Sequence, residues 1–181
     1  MINNEKKGVK LLQPNLELLD ALQVYQKTFD NPVHIAGSGS ITTFPTIEDW
    51  LAAMKLYEEE ATLPNEGLVP SRQYVLVQEK PQKIIGMLSL RIRLNDYLLN
   101  FGGHIGYSIA PDERKQGYGS LMLNEALKEA KTFGLNRVLI TCDDDNLASA
   151  RVIEKNQGIL EDRRFNDENQ KWIRRYWIKI D

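Results

Sequence analysis

Apolar side chains recur at helical spacing in four stretches of the chain and alternate or run together in six others. Leu16, Leu19, Leu22 and Val24, with Tyr25 and Phe29, follow Pro14 and a candidate Asn15 cap, which predicts a first helix over 15–29. Thr46, three residues before Asp49, has the spacing of a capping box, and Trp50, Ala53, Met54 and Tyr57 then share one face of a second helix reaching about Glu60. The Glu58-Glu59-Glu60 run at its end reads as a solvated face. Between the two helices, Pro32 and Gly37-Ser38-Gly39-Ser40 mark the stretch 31–44 as a loop able to border a pocket.

Tyr74 to Val77 and Ile84 to Leu94 are β-rich and flank a Lys-Pro turn, so they read as an antiparallel pair, with Gly86 marking a bulge or a close backbone approach. Gly102 to Ala110 is a third strand. The order then changes. Met122, Leu123, Ala126, Leu127, Ala130 and Phe133 form an apolar helical stripe closed by Gly134, and Arg137 to Cys142 is a continuous apolar run, as in a strand buried on both faces. Residues 104–142 thus form a βαβ unit. Asn146 opens a helix through Ala150 and Ile153 that stops near Gly158, and Ile159 to Phe165 pairs with the alternating tail Trp172, Arg174, Tyr176, Ile178, Ile180.

A length of 181 residues fits one domain, here 1–181. With 23 basic against 25 acidic residues the chain lacks the surplus of a nucleic-acid binder, and no apolar run spans a bilayer or follows Met1–Lys7 as a leader would. One cysteine and two histidines exclude a disulfide framework and a Cys/His zinc site, so no metal is expected; a cytoplasmic, soluble protein fits.

The chemistry concentrates in Arg114-Lys115-Gln116-Gly117-Tyr118-Gly119-Ser120, set between a strand and the start of a helix. Helix-start N–H groups and the helix dipole make an anion site, and glycines let a phosphate approach the main chain. The alternative is a tight turn and nothing more. Met122 occupies the third-glycine position of a dinucleotide fingerprint and no Gly-Lys-Ser/Thr follows, so both of those nucleotide readings fall.

Arg114-x-x-Gly117-x-Gly119 after Ile105 to Pro111 resembles motif A of the GCN5-related N-acetyltransferase (GNAT) family, and Asn146-Leu147-Ala148-Ser149-Ala150 is similar to its motif B. The resemblance covers the whole chain. It implies an α/β (α+β) fold with a mixed, mainly antiparallel central sheet and a βαβ unit that binds coenzyme A. It further implies acetyl transfer from acetyl-CoA to a primary amine, expected to be a small molecule, by direct attack in a ternary complex. The cofactor residues carried over are Tyr107, Ile109, Arg114, Lys115, Gln116, Gly117, Tyr118, Gly119, Ser120, Asn146 and Ser149. A non-catalytic acyl-CoA sensor and an enzyme acting on a protein N-terminus or lysine are the competing readings.

The motif B position of the family's general-acid tyrosine falls on Ile153, leaving Tyr176, Tyr107 or water as proton donor. His104 falls where some members carry a basic glutamate and is the candidate base; the alternative is a histidine filling a strand position. Cys142 reads as a small buried residue. Asp143-Asp144-Asp145 either recruits a cationic substrate or forms a solvated turn, and Tyr25, Trp50 and the 37–40 loop either line the acceptor side or pack the core. Exposed apolar residues on the C-terminal hairpin are the expected place for a homodimer contact.

Overall fold

The computed structural model describes residues 8–180; the Met1–Lys7 segment, read above as carrying no leader, lies outside the described residues. Seven strands, β1 Val9–Leu12, β2 Ser71–Gln78, β3 Lys83–Arg91, β4 Ile105–Ile109, β5 Arg137–Asp143, β6 Ile159–Asn166 and β7 Lys171–Lys179, form one sheet. Their order is β1-β2-β3-β4-β5-β7-β6, and every neighbouring pair is antiparallel except β4 and β5. Four helices, α1 Leu19–Lys27, α2 Ile47–Leu56, α3 Tyr118–Thr132 and α4 Leu147–Lys155, cover the two faces.

Local chemistry sets the helix ends. Asn15 accepts from the Glu17 N–H at 2.9 Å and opens a 3-10 turn, Leu16–Leu18, that leads into α1. The Thr46 hydroxyl caps α2 by accepting from the Asp49 N–H at 3.1 Å and donates to the Asp49 carboxylate at 2.8 Å, so the N-cap forms and the aspartate bonds the capping hydroxyl rather than the Thr46 N–H. α2 ends at Leu56 rather than Glu60, because Tyr57 already serves as its C-cap. The glutamates beyond it are drawn into ion pairs: Glu58 with Lys55, Glu59 with Arg72 and Glu60 with Arg93. Gly134 has the left-handed backbone expected after α3, with φ of 79°.

Two apolar layers sandwich the sheet. Leu76, Leu88, Ile105 and Ile140 face α3 and α4 with Met122 and Ile153, while Val75, Val77 and Met87 face α1 and α2 with Leu22 and Trp50. The β5 run is buried on both faces, as its unbroken apolar character requires. Gly86 meets both expectations. Leu76 pairs with Gly86 and Val77 with Ile84, leaving Ile85 as a bulge, and a Cβ on Gly86 would lie 2.8 Å from the Ser108 carbonyl oxygen.

Two features depart from the sequence pattern. β1 is an edge strand on β2 that the apolar spacing did not announce. β4 begins at Ile105, not Gly102, because Leu98–Gly102 is a π turn followed by Gly103 at φ of 67°. That turn is pinned to the far half of the sheet: Arg175 donates to the Leu99 carbonyl at 2.9 Å, and Thr141 to the Phe101 carbonyl at 2.7 Å. Among the described residues no helix is long and apolar enough to cross a membrane.

Candidate active site

β4 and β5 share a single registered pair, Ile105 with Ile140, and no register partner follows it along β4. Arg91 N–H donates to the His104 carbonyl and Ala110 N–H to the Ile85 carbonyl, so the even-numbered residues of β4 turn their peptide groups toward β3. The N–H groups of Tyr107 and Ile109 therefore point the other way, into the gap that opens beside β5. Two main-chain donors in the middle of a sheet are left to meet a ligand.

His104 closes the other end of that gap. Its N–H donates to the Leu139 carbonyl at 2.7 Å, and its Nδ1 accepts from the Leu139 N–H at 2.9 Å. Since a peptide N–H can only donate, the neutral ring carries its proton on Nε2, whose ring edge packs beside Trp177 with centroids 6.3 Å apart. Burial first, then the charges of Arg91 and Arg137, push its pKa down to about 4. The ring's one basic lone pair is already engaged, which removes the geometric ground for His104 as general base and makes it a rung joining β4 to β5.

On the α3 side, the predicted anion loop sits where expected. Gly117 is the N-cap of α3 with φ of 85° and brings no side-chain acceptor, in contrast to Thr46 at α2 and Asn146 at α4. Gly117 thus provides no side-chain cap for the first-turn N–H groups of α3, the longest helix among the described residues. Arg114 is fixed at its approach by donating from Nε to the Ile109 carbonyl at 3.2 Å, and Lys115 holds a left-handed φ of 61°. Gln116 turns back to the Asp112 carbonyl at 3.2 Å. Gly119 has a second role: a Cβ there would lie 3.2 Å from Val152 of α4, so the glycine also sets the distance between the two helices. These groups fit a diphosphate-bearing cofactor: exposed cations, helix-start N–H groups and a glycine approach.

α4 covers the gap from the same side. Asn146 caps it by accepting from the Ser149 N–H at 3.1 Å. The Ser149 hydroxyl is 2.9 Å from the Tyr107 hydroxyl, joining α4 to β4. Burial pushes Tyr107 up to about 12 and Cys142 to about 11, so both remain protonated at neutral pH. Ile153 is fully buried in the core. Tyr176 is buried too, and its hydroxyl is committed to Glu154 at 3.0 Å.

The opposite face of β4 carries the α1–α2 loop. Gly37 rests directly on the strand: a Cβ there would lie 2.3 Å from the Gly106 carbonyl oxygen. Trp50 donates to the Ser38 carbonyl at 3.0 Å and Gln73 to the Gly37 carbonyl at 2.7 Å, fixing the loop from beneath. Tyr25 reaches Ser108 at 3.1 Å and is buried, so both aromatics are core residues that also position the site. Asp143 pairs with Lys171, and Asp144 with Arg163 and Arg174, so two of the three aspartates are already neutralised by protein cations. Arg91, the last residue of β3, reaches the same face of β4; within the 84–94 run read as a strand it carried no signal of its own in the sequence.

The sheet is parted between its two parallel strands, and a helix start without a side-chain cap lies beside the opening. The family model for the acetyltransferase (GNAT) domain matches residues 16–158, and the chain belongs to that family. No curated protein matches it in sequence. Solved structures match its fold nearly end to end. The ribosomal-protein-S5-alanine acetyltransferase of Vibrio fischeri has a TM-score of 0.72 at 17% identity, over 98% of this chain and 96% of that one. The structure of yncA from Salmonella typhimurium with its cofactor acetyl-CoA gives 0.61 at 13% identity, covering 97% and 95%. The spermidine/spermine N-acetyltransferase SpeG of Vibrio cholerae gives 0.62 at 15%, covering 94% of each chain.

Proposed function

We propose that this acetyltransferase moves the acetyl group of acetyl-CoA to the primary amine of a small molecule by direct attack, with both substrates bound together. The observation that carries this reading is the open seam between β4 and β5, into which the Tyr107 and Ile109 N–H groups point. When bound, acetyl-CoA supplies an acetyl thioester already activated for attack.

The chain's own groups supply the rest. The start of α3, with Arg114 and Lys115, holds the diphosphate, and Ile109 N–H holds the amide arm. Tyr107 N–H is placed to donate to a carbonyl oxygen lodged in the gap and to stabilise the charge that grows there. As the new C–N bond forms and the C–S bond breaks, the Tyr107 hydroxyl, linked to Ser149, is the donor set to protonate the departing sulfur. Tyr176, the other candidate tyrosine, donates its hydroxyl hydrogen bond to Glu154. With the His104 lone pair engaged, the amine's proton passes to water, and the rate follows the ionisation of the acceptor amine itself.

Calorimetric titration with acetyl-CoA, followed by thiol release in the presence of a panel of amines, tests the proposal. Binding with amine-dependent release is the expected result. Binding without release for any amine favours an acyl-CoA sensor, and release only with peptides carrying a free N-terminus or lysine favours a protein-acetylating enzyme.

A further inference from the structure

Arginines turned into this protein meet carboxylates: Arg72 meets Glu59, Arg174 meets Asp144, and Arg175 meets Glu161 and Asp162. Arg91 is the exception among the described residues. Its Nη1 donates to the Gly102 and Gly103 carbonyls at 3.3 and 3.1 Å, and it forms no ion pair. Burial pulls its guanidinium below the ordinary range, opposed only by the neighbouring Tyr97 phenol. A cation desolvated without a counter-charge is costly, and an arriving anion relieves that cost.

The remaining Arg91 nitrogens are not spent elsewhere. Nη2 makes no hydrogen bond, and it is not among the sealed, unpartnered side-chain atoms, of which Gln73 Oε1 is the sole case. It lies 3.7 Å from the point where a Cβ on Gly106 would sit, and the Gly37 nitrogen lies 3.5 Å from the same point, with nothing nearer. The Gly37 N–H has no carbonyl partner among the described backbone bonds. The absence of a side chain at Gly106 thus leaves room for an atom within contact distance of both the Arg91 guanidinium and the Gly37 nitrogen. That space borders Tyr107, whose own N–H faces the gap.

We infer that Arg91 and the Gly37 N–H form a carboxylate subsite beside the transfer gap, and that the acceptor is a small amine carrying a carboxylate a few bonds from its nitrogen, as in an α- or β-amino acid. The inference rests on the acetyltransferase reading above and narrows its substrate. A fork of two N–H groups suits a carboxylate, whereas the like charge of a polyamine meets the guanidinium unfavourably.

The test sets glycine, β-alanine and the other standard amino acids, each beside its primary amide, together with putrescine and spermidine, against the wild-type protein and Arg91→Gln and Arg91→Lys. Thermal melting with acetyl-CoA calorimetry checks that each variant is folded and binds its cofactor. The expected result is a kcat/KM for amino acid over amide of about ten- to a hundredfold, carried in KM. In Arg91→Gln that ratio falls toward one, and Arg91→Lys retains part of it. A wild-type ratio near one, a ratio unchanged in Arg91→Gln, or a preference for the polyamines overturns the inference. Should no amine turn over, N-acetylglycine titrated into the coenzyme A complex decides: binding that Arg91→Gln abolishes supports the subsite, and no binding overturns it. Failure of the wild-type protein to bind acetyl-CoA defeats the underlying reading, and this one with it, by a separate readout.

Discussion

A histidine beside a transfer gap invites a catalytic role, yet His104 spends its acceptor nitrogen on the Leu139 N–H. Its lowered pKa makes it a stability group with a defined sign. The unfolded chain takes up a proton near pH 6.5 and the native ring not until about 4, so stability is full above 6.5 and declines as pH falls toward 4. The loss is on the order of 3 kcal/mol over that window. His104→Asn keeps an acceptor for Leu139 and removes the ionisation; urea unfolding across this pH range should show the wild-type falling relative to the variant, while the pH profile of transfer stays unchanged. Tyr107 is the residue we propose for the chemistry instead. Tyr107→Phe should lower kcat by about a hundredfold, with coenzyme A affinity held within about twofold, if its hydroxyl protonates the leaving sulfur. An unchanged kcat would assign that proton to water.

At the scale of elements, what depends on neighbours in sequence was legible and what depends on distant partners was not. The caps at Asn15 and Thr46, the glycine after α3 and the strand-helix-strand order are local signals, and all appear in place. Val9–Leu12 becomes a strand only because it pairs with β2, more than sixty residues away, and four residues carry no periodicity of their own. The Tyr107 to Ser149 bond links residues 42 apart, and the meaning of Arg91 lies in the missing carboxylate, a fact of three dimensions. Gly119 was read for phosphate access alone, while its contact with Val152 adds a packing reason. Gly119→Val should therefore force α3 from α4 and destabilise the protein by about 1–3 kcal/mol, measured by chemical denaturation, as well as weaken coenzyme A binding. Gly117→Ala, with open space around its Cβ but φ of 85°, should cost only about 1 kcal/mol and isolates the effect on the cofactor.

The molecule as a whole consists of two half-sheets joined at one place. β1 to β4 form one half and β5 to β7 the other, with the Ile105–Ile140 pair, the His104 rung and the pinned π turn between them. Arg175, only 2% exposed, ties the turn at Leu99 to Glu161 and Asp162. Arg175→Ala should cost about 3 kcal/mol in urea unfolding, since it removes a buried cation that bonds the Leu99 carbonyl and pairs with Glu161 and with Asp162, which then keeps only Arg164. A sheet so divided is short of rungs in its own interior, and a coenzyme arm laid in the seam would act as the absent strand. Amide hydrogen exchange should make this visible: in the free protein the Tyr107 and Ile109 amides, though central in a seven-stranded sheet, exchange faster than those of Gly106 and Ser108. Saturating coenzyme A should slow them selectively and raise the melting temperature with its concentration, so that the ligand is counted as part of the fold.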